Sequence, residues 1–203
     1  MIKVEKKVHN AVLDIAKEMA RRKEGALFVI GPKNKFKRLY EPLFPQSKIK
    51  HKVYYKGMDE VLTKLATLDG AVIISNKGNI LAYGSRLKRS RAVRGFVTKH
   101  AAAAGITAAI PSSTAILVSE EVNWIKVFKD GKVVLEMDPV AETSRSLDNK
   151  IISFLTDKDT ALLTAAGASA ALIGFGPVLV IGGTYLAVKT ATGIISKSLS
   201  KLR

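Results

Sequence analysis

Two short clusters carry the residue types that phosphate chemistry needs. Asp69-Gly70-Ala71 sets a carboxylate beside a glycine where an apolar run begins, and Thr98-Lys99-His100 sets a hydroxyl, a cation and an imidazole ahead of Ala101-Ala102-Ala103. A carboxylate can hold a divalent cation, and glycine lets a ligand come close because it adds no side chain. A helix N-terminus already favours anions through its oriented N–H groups. The small residues after His100 would let such a helix lie tightly on a sheet and leave its first turn for a ligand. Each cluster also has a plainer reading, Asp-Gly as a turn and His100 as a core or capping histidine. The case therefore rests on the two together.

The elements that must position them can be read from periodicity. Val8, Ala11, Val12, Ile15, Ala16 and Met19 follow helical spacing, which predicts an amphipathic helix ended by Gly25. Residues 26–31 form a short continuous apolar run, a buried strand. Pro32 and the basic residues after it read as a loop, and 40–45, with two prolines, as a packed irregular stretch. A helix over 58–68 leads to a strand over 69–75, and Asn76-Lys77-Gly78-Asn79 turns it into a partner strand over 80–87. The Ala-rich helix spans 97–110 and stops at Pro111. Strands over 114–119, 124–128 and 133–137 follow, the last two joined by Lys129-Asp130-Gly131-Lys132, and then a short amphipathic helix at 144–155. The pattern predicts an α/β domain, a mixed central sheet flanked by helices, over residues 1–143, a connector helix at 144–157 and a hydrophobic helical segment at 158–203.

Composition narrows the function classes. The 203 residues carry a formal net charge of +16 and no cysteine, so thiolate metal sites and disulfides are excluded. A field of that sign draws phosphates, whether on nucleotides, nucleic acid or lipid headgroups. Most of the lysines read as solvated faces. No helix-turn-helix, RNP-type or zinc-finger pattern is present, so no specific nucleic-acid partner is expected. The first residues read charged throughout, unlike a signal peptide. Residues 160–188 contain no charged side chain, a stretch longer than the ~20 residues that cross a bilayer as a helix. Gly174-Phe175-Gly176-Pro177 would kink or turn it. The expectation is membrane association through residues 160–188, as one span or a hairpin, with a packed soluble hairpin as the alternative.

In order and interval, Asp69-Gly70-Ala71, Gly84-Ser85-Arg86-Leu87, Thr98-Lys99-His100-Ala101-Ala102-Ala103, Val118-Ser119-Glu120-Glu121 and Asp130-Gly131-Lys132 resemble the signature motifs of the diadenylate cyclases, above all the archaeal branch. The resemblance covers roughly residues 8–140. It implies condensation of two ATP into cyclic di-AMP and two pyrophosphates, a nucleotidyltransferase reaction using Mn2+ or Mg2+. It implies a face-to-face homodimer with one ATP per subunit, and with the apolar run at 160–188 the expectation is a cytoplasmic catalytic domain attached to the membrane by the carboxy-terminal segment. By the same resemblance Asp69 is the catalytic carboxylate. Gly70 and Ala71 line the ribose, Leu87 touches adenine, and Thr98, Lys99 and His100 hold the triphosphate. Ser119, Glu120 and Glu121 bind nucleotide or metal, with Asp69 and Glu121 as the metal ligands. Val97 stands where the family has glycine, and Lys99 where it has arginine. Lysine keeps the charge but loses the bidentate fork. The alternative is a catalytically degenerate nucleotide-binding relative acting as a sensor or regulator.

Overall fold

The computed structural model describes residues 2–89, 98–120, 124–138, 151–153, 155–156, 179–181 and 184–186. The first helix, α1 (Ile2–Arg21), buries Val8, Val12, Ile15, Ala16 and Met19, the stripe its spacing requires. It ends differently from the sequence expectation. Lys23, at φ 60°, takes the left-handed position, with Lys23 N–H donating to Ala20 and Glu24 N–H to Met19, a Schellman ending built without glycine. Gly25 serves another purpose, described below.

Strand β1 (Ala26–Gly31) is buried along its whole length. A 3-10 helix at Lys33–Phe36 and a short strand β2 (Tyr40–Pro42) follow. The stretch expected to pack irregularly over 40–45 thus begins as an edge strand and then leaves Leu43 and Phe44 exposed. Helix α2 (Met58–Ala66) leads to β3 (Ala71–Ser75) and β4 (Ile80–Leu87). Helix α3 (Thr98–Ala109) leads to β5 (Thr114–Val118), and then come β6 (Ile125–Lys129) and β7 (Lys132–Met137). The β6–β7 turn has positive φ at Asp130 and Gly131, which fits the twist of a two-residue hairpin.

The strands form one mixed sheet in the order β2-β4-β3-β1-β5-β6-β7, with β1 and β3 parallel and the other pairs antiparallel. Alternation along the central strands makes two cores. Phe28, Ile30, Ile74 and Ile116 pack under α1 and α2, and Leu27, Val29, Ile73 and Leu117 face α3.

After β7, residues 151–153 and 155–156 are helical, and Ile151, Ile152 and Leu155 are buried in the α1-side core. Lys129 Nζ donates to the Leu155 carbonyl at 2.7 Å. Beyond them the structure corrects the helical expectation where it can be compared. Leu179–Ile181 (β8) and Thr184–Leu186 (β9) are strands that extend the sheet from β7, with Glu136 paired to Val180. Val180, Ile181, Thr184 and Tyr185 are residue types that favour strands, and β7 otherwise ends the sheet with an open edge. The rest of the apolar segment, including Gly174-Phe175-Gly176-Pro177, lies outside the described residues. Among the described residues no helix is long and apolar enough to cross a membrane.

Candidate active site

Asp69 and Gly70 form the corner that opens β3. Gly70 sits at φ +101°, and a Cβ on it would lie 2.5 Å from Ser85 N and 2.7 Å from Ser85 O. Both facts demand glycine. The backbone of β4 therefore presses against this corner and fixes the exposed Asp69 carboxylate at the sheet's end. Ser85 is itself buried and donates through Oγ to the Tyr83 carbonyl at 3.1 Å. Ala71 pairs with Ser85 and turns its methyl into the α3-side core, so what it offers a ligand is backbone. Gly70→Ala is expected to cost at least the ~1–3 kcal/mol of a strained conformation. Thermal unfolding should show it as a fall of ~2–4 °C per kcal/mol; a variant melting with the parent would refute the account of this corner.

The second cluster begins α3. Ala103, Ala104 and Gly105 are buried, which lets the helix lie close on β5 and β6. Thr107 locks it there, donating to the Ala103 carbonyl at 2.8 Å and accepting from Gly131 N–H at 3.1 Å. Thr98 is exposed. Lys99 Nζ lies 2.7 Å from Glu120 Oε1, an exposed pair that ties the first turn of α3 to the end of β5. Gly25 makes that pair possible, since a Cβ there would fall 2.1 Å from Glu120 Oε1. Ser119 is buried beside it, its N–H donating to the Trp124 carbonyl at 2.9 Å.

His100 is 3% exposed and meets Phe128 edge to face, with ring centroids 6.1 Å apart. Burial, and then the charge of Lys126, lower its pKa from 6.5 to about 4. At neutral pH it is an uncharged imidazole, whose single N–H can donate to a phosphate oxygen but which brings no charge. Lys126 lies on the same face of the sheet, paired across β6–β7 with Glu136, Nζ to Oε1 at 3.4 Å. His9 is a second neutral histidine. Its Nδ1 bonds the Glu5 carbonyl at 2.9 Å and its Nε2 the Thr114 hydroxyl at 3.3 Å, and burial lowers its pKa to about 4. Both folded values lie below 6.5, so the stability they lend is full above that pH and is lost as pH falls toward 4. Each should add a slope approaching ~1.4 kcal/mol per pH unit over that window. Urea unfolding between pH 6.5 and 5 measures it, and a flat midpoint there would contradict both assignments.

The register relates the two clusters. Phe28 pairs with Val72 and Ala26 with Val118, so Gly70 and Val118 flank β1 at the same level. Two strand spacings separate them by ~10 Å. Thr98, Lys99, His100, Ser119 and Glu120 share a cavity of about 240 Å3 floored by Leu117 and Val118. Asp69 and Gly70 lie across β1 from it, and Leu87 ends β4 opposite Tyr40. Glu121 and Val97 lie outside the described residues. Gly25, Lys126 and Phe128 are neighbours that the motif reading did not single out. A lysine between Ile125 and Val127 in a strand was the available signal for Lys126.

Among the described residues no group of three or more His, Asp or Glu side chains is placed to hold a metal ion. Asp69 is exposed at the corner and Glu120 in the cleft, and a divalent cation arriving with substrate is commonly held by one or two carboxylates plus phosphate oxygens.

A mixed sheet with a glycine-backed carboxylate at the head of one strand, and a hydroxyl–cation–imidazole helix start beside it, makes an α/β domain with a candidate anion-binding cleft. Residues 14–133 match the family model described as DisA bacterial checkpoint controller nucleotide-binding, and the chain belongs to that family. A diadenylate cyclase of Haloferax volcanii is 31% identical over 141 residues, 64% of this chain and 52% of the relative. One of Methanocaldococcus jannaschii is 28% identical over 147 residues, 68% and 47% of the two chains. The chain thus spans about half the length of the curated relatives it matches. Among solved structures, a double mutant of DacA from Staphylococcus aureus is 26% identical with a TM-score of 0.52, covering 74% of this chain and 96% of that one. A hypothetical membrane spanning protein from Bacillus cereus, 20% identical, shares the fold at a TM-score of 0.50 over 60% of this chain and 59% of its own.

Proposed function

We propose that this chain is a diadenylate cyclase that condenses two ATP into cyclic di-AMP and two pyrophosphates. The observation that carries the reading is the pairing, at one end of the sheet, of the Asp69-Gly70 corner with the Thr98–Lys99–Ser119–Glu120 cleft, ~10 Å apart across β1. That spacing suits a ribose at the corner and a phosphate chain reaching the start of α3.

Each 3′-hydroxyl attacks the α-phosphorus of the other nucleotide, and pyrophosphate leaves. Asp69 orients the attacking hydroxyl and accepts its proton. Gly70 and the Ala71 backbone admit the ribose, and Leu87 covers adenine. Thr98 and the first N–H groups of α3 donate to phosphate oxygens, and neutral His100 adds a hydrogen bond without charge. Lys99 exchanges Glu120 for the triphosphate as a point charge, and Ser119 borders the same cleft. Mg2+ or Mn2+, held by Asp69 and Glu121 with phosphate oxygens, would neutralise charge on the reacting phosphates.

The reaction requires two such sites face to face, so the working unit is a homodimer. Leu43 and Phe44, exposed beside the corner that holds Asp69, are the kind of apolar surface that assembly covers. The catalytic domain belongs in the cytoplasm, attached to the membrane through the part of the apolar segment 160–188 that lies outside β8 and β9. Full-length protein recovered without detergent in the soluble fraction would contradict the attachment.

A second reading, a nucleotide sensor without turnover, is favoured by one feature: Lys99 stands in for arginine and is already engaged by Glu120. Incubating the full chain with ATP and Mn2+, with chromatography for cyclic di-AMP, separates the two. Product supports the cyclase; ATP binding without product supports the sensor.

A further inference from the structure

We propose that the chain carries a second nucleotide site, built on the other end of the sheet from lysines that the cyclase reading does not use. A cavity of about 550 Å3 opens where β1 and β3 finish, and Lys33, Lys37, Lys48 and Lys50 line it. That size is within the ~300–1,000 Å3 of small-molecule sites. Lys33 and Lys37 come from the 3-10 helix and the residue after it. Lys48 and Lys50 come from the extended segment beyond β2. The apolar part is supplied by buried Phe36, half-buried Leu81 and Tyr40. Asn79 completes it. Lys52 donates to the Asn79 side-chain oxygen, which leaves the amide NH2 as the end able to donate to a ligand. None of these residues lines the cleft at α3 or belongs to the Asp69 corner, and Tyr40 alone reaches toward the cyclase site, its backbone paired with Leu87.

The concentration of cations here is local, not a uniform consequence of the +16 charge. A groove of about 590 Å3 between α1 and α2 has Asp14, Glu18, Asp59 and Glu60 facing Arg22, Lys56 and Lys64. The α3 cleft sets Lys99 against Glu120. Among the described residues lining the 550 Å3 cavity there is no carboxylate. Four ammonium groups around one concavity repel one another, and a bound polyanion removes that repulsion. Lysines bind phosphate as point charges, and the half-buried Tyr40 ring with Leu81 offers a base its flat face. Together they select a nucleoside polyphosphate over a bare anion and over an extended strand.

The test is equilibrium binding of a non-hydrolysable ATP analogue to the full chain in mild detergent, for five proteins. The parent should bind two equivalents per chain. Lys48→Glu/Lys50→Glu should keep one, as should Lys33→Glu/Lys37→Glu, and both should make cyclic di-AMP at the parent rate. Lys99→Glu should keep one equivalent that the Lys48→Glu/Lys50→Glu pair then removes. Tripolyphosphate should displace this second equivalent at least tenfold less well than ATP. Unchanged stoichiometry in both charge-reversed pairs overturns the site. Equal displacement by tripolyphosphate, or tighter displacement by a single-stranded oligonucleotide, overturns the assignment of its ligand. If instead Lys99→Glu changes nothing while the lysine pairs abolish all binding, this site stands and the placement of ATP at α3 falls.

Discussion

Asp69→Asn is expected to reduce formation of cyclic di-AMP by about 10²–10⁴-fold, the range for losing a positioned acid–base group. The substitution keeps size and shape and removes the charge and the proton acceptor. Its effect should fall on turnover, because Asp69 is exposed at the end of the sheet and its backbone is set by Gly70 against Ser85. Thermal unfolding should therefore match the parent, and ATP should still bind at the α3 cleft through Thr98 and Lys99. A matched pair of assays decides it, single-turnover product formation and ATP binding for both proteins. Loss of the chemical step with retained binding marks a group needed in the transition state. Product within threefold of the parent would remove Asp69 from the mechanism. Loss of binding with no loss of chemistry at saturating ATP would make it a ribose contact only.

Regular elements were legible because their signals are local. The apolar run at 26–31, the helical stripe from Val8 to Met19 and the glycine turns at Gly78 and Gly131 each state their conformation within a few residues. The misreadings arose where a distant partner decides. Gly25 looks like a helix terminator, yet Lys23 turns the chain and Gly25 makes room for Glu120, which is far away in sequence. Residues 40–45 looked packed because they are apolar, but only pairing with β4 tells which of them form an edge. Leu179–Ile181 and Thr184–Leu186 lie inside a stretch whose composition suits a membrane helix, and the ladder from β7 is what makes them strands. At the site, motif order picked out Thr98, Lys99, His100, Ser119 and Glu120, which line one cavity. It could not say that His100 is uncharged, since that follows from burial and from Lys126 on another strand.

Lys126 and Glu136 give the largest stability effect to be expected. They face each other in register across β6 and β7, and their side chains are only 9% and 11% exposed. Two charges have been largely taken out of water side by side. Glu136→Gln leaves the ammonium in a low-dielectric layer without its carboxylate, and should cost ~3–5 kcal/mol. The same change makes the potential at His100 more positive and so lowers its pKa further. Lys126→Met acts in the opposite sense at His100. It removes the second cause of the depression and leaves burial, so the pKa should rise from about 4 but stay under 6.5. The double variant Lys126→Met/Glu136→Leu removes both charges and fills the space, and should be as stable as the parent or up to ~1–4 kcal/mol more so. Urea unfolding of the three variants, with the His100 titration followed by NMR, checks both halves. A Glu136→Gln loss below ~1 kcal/mol would place the pair with solvated surface bridges. A His100 titration indifferent to Lys126 would leave burial as the whole reason that the imidazole at the α3 cleft is neutral.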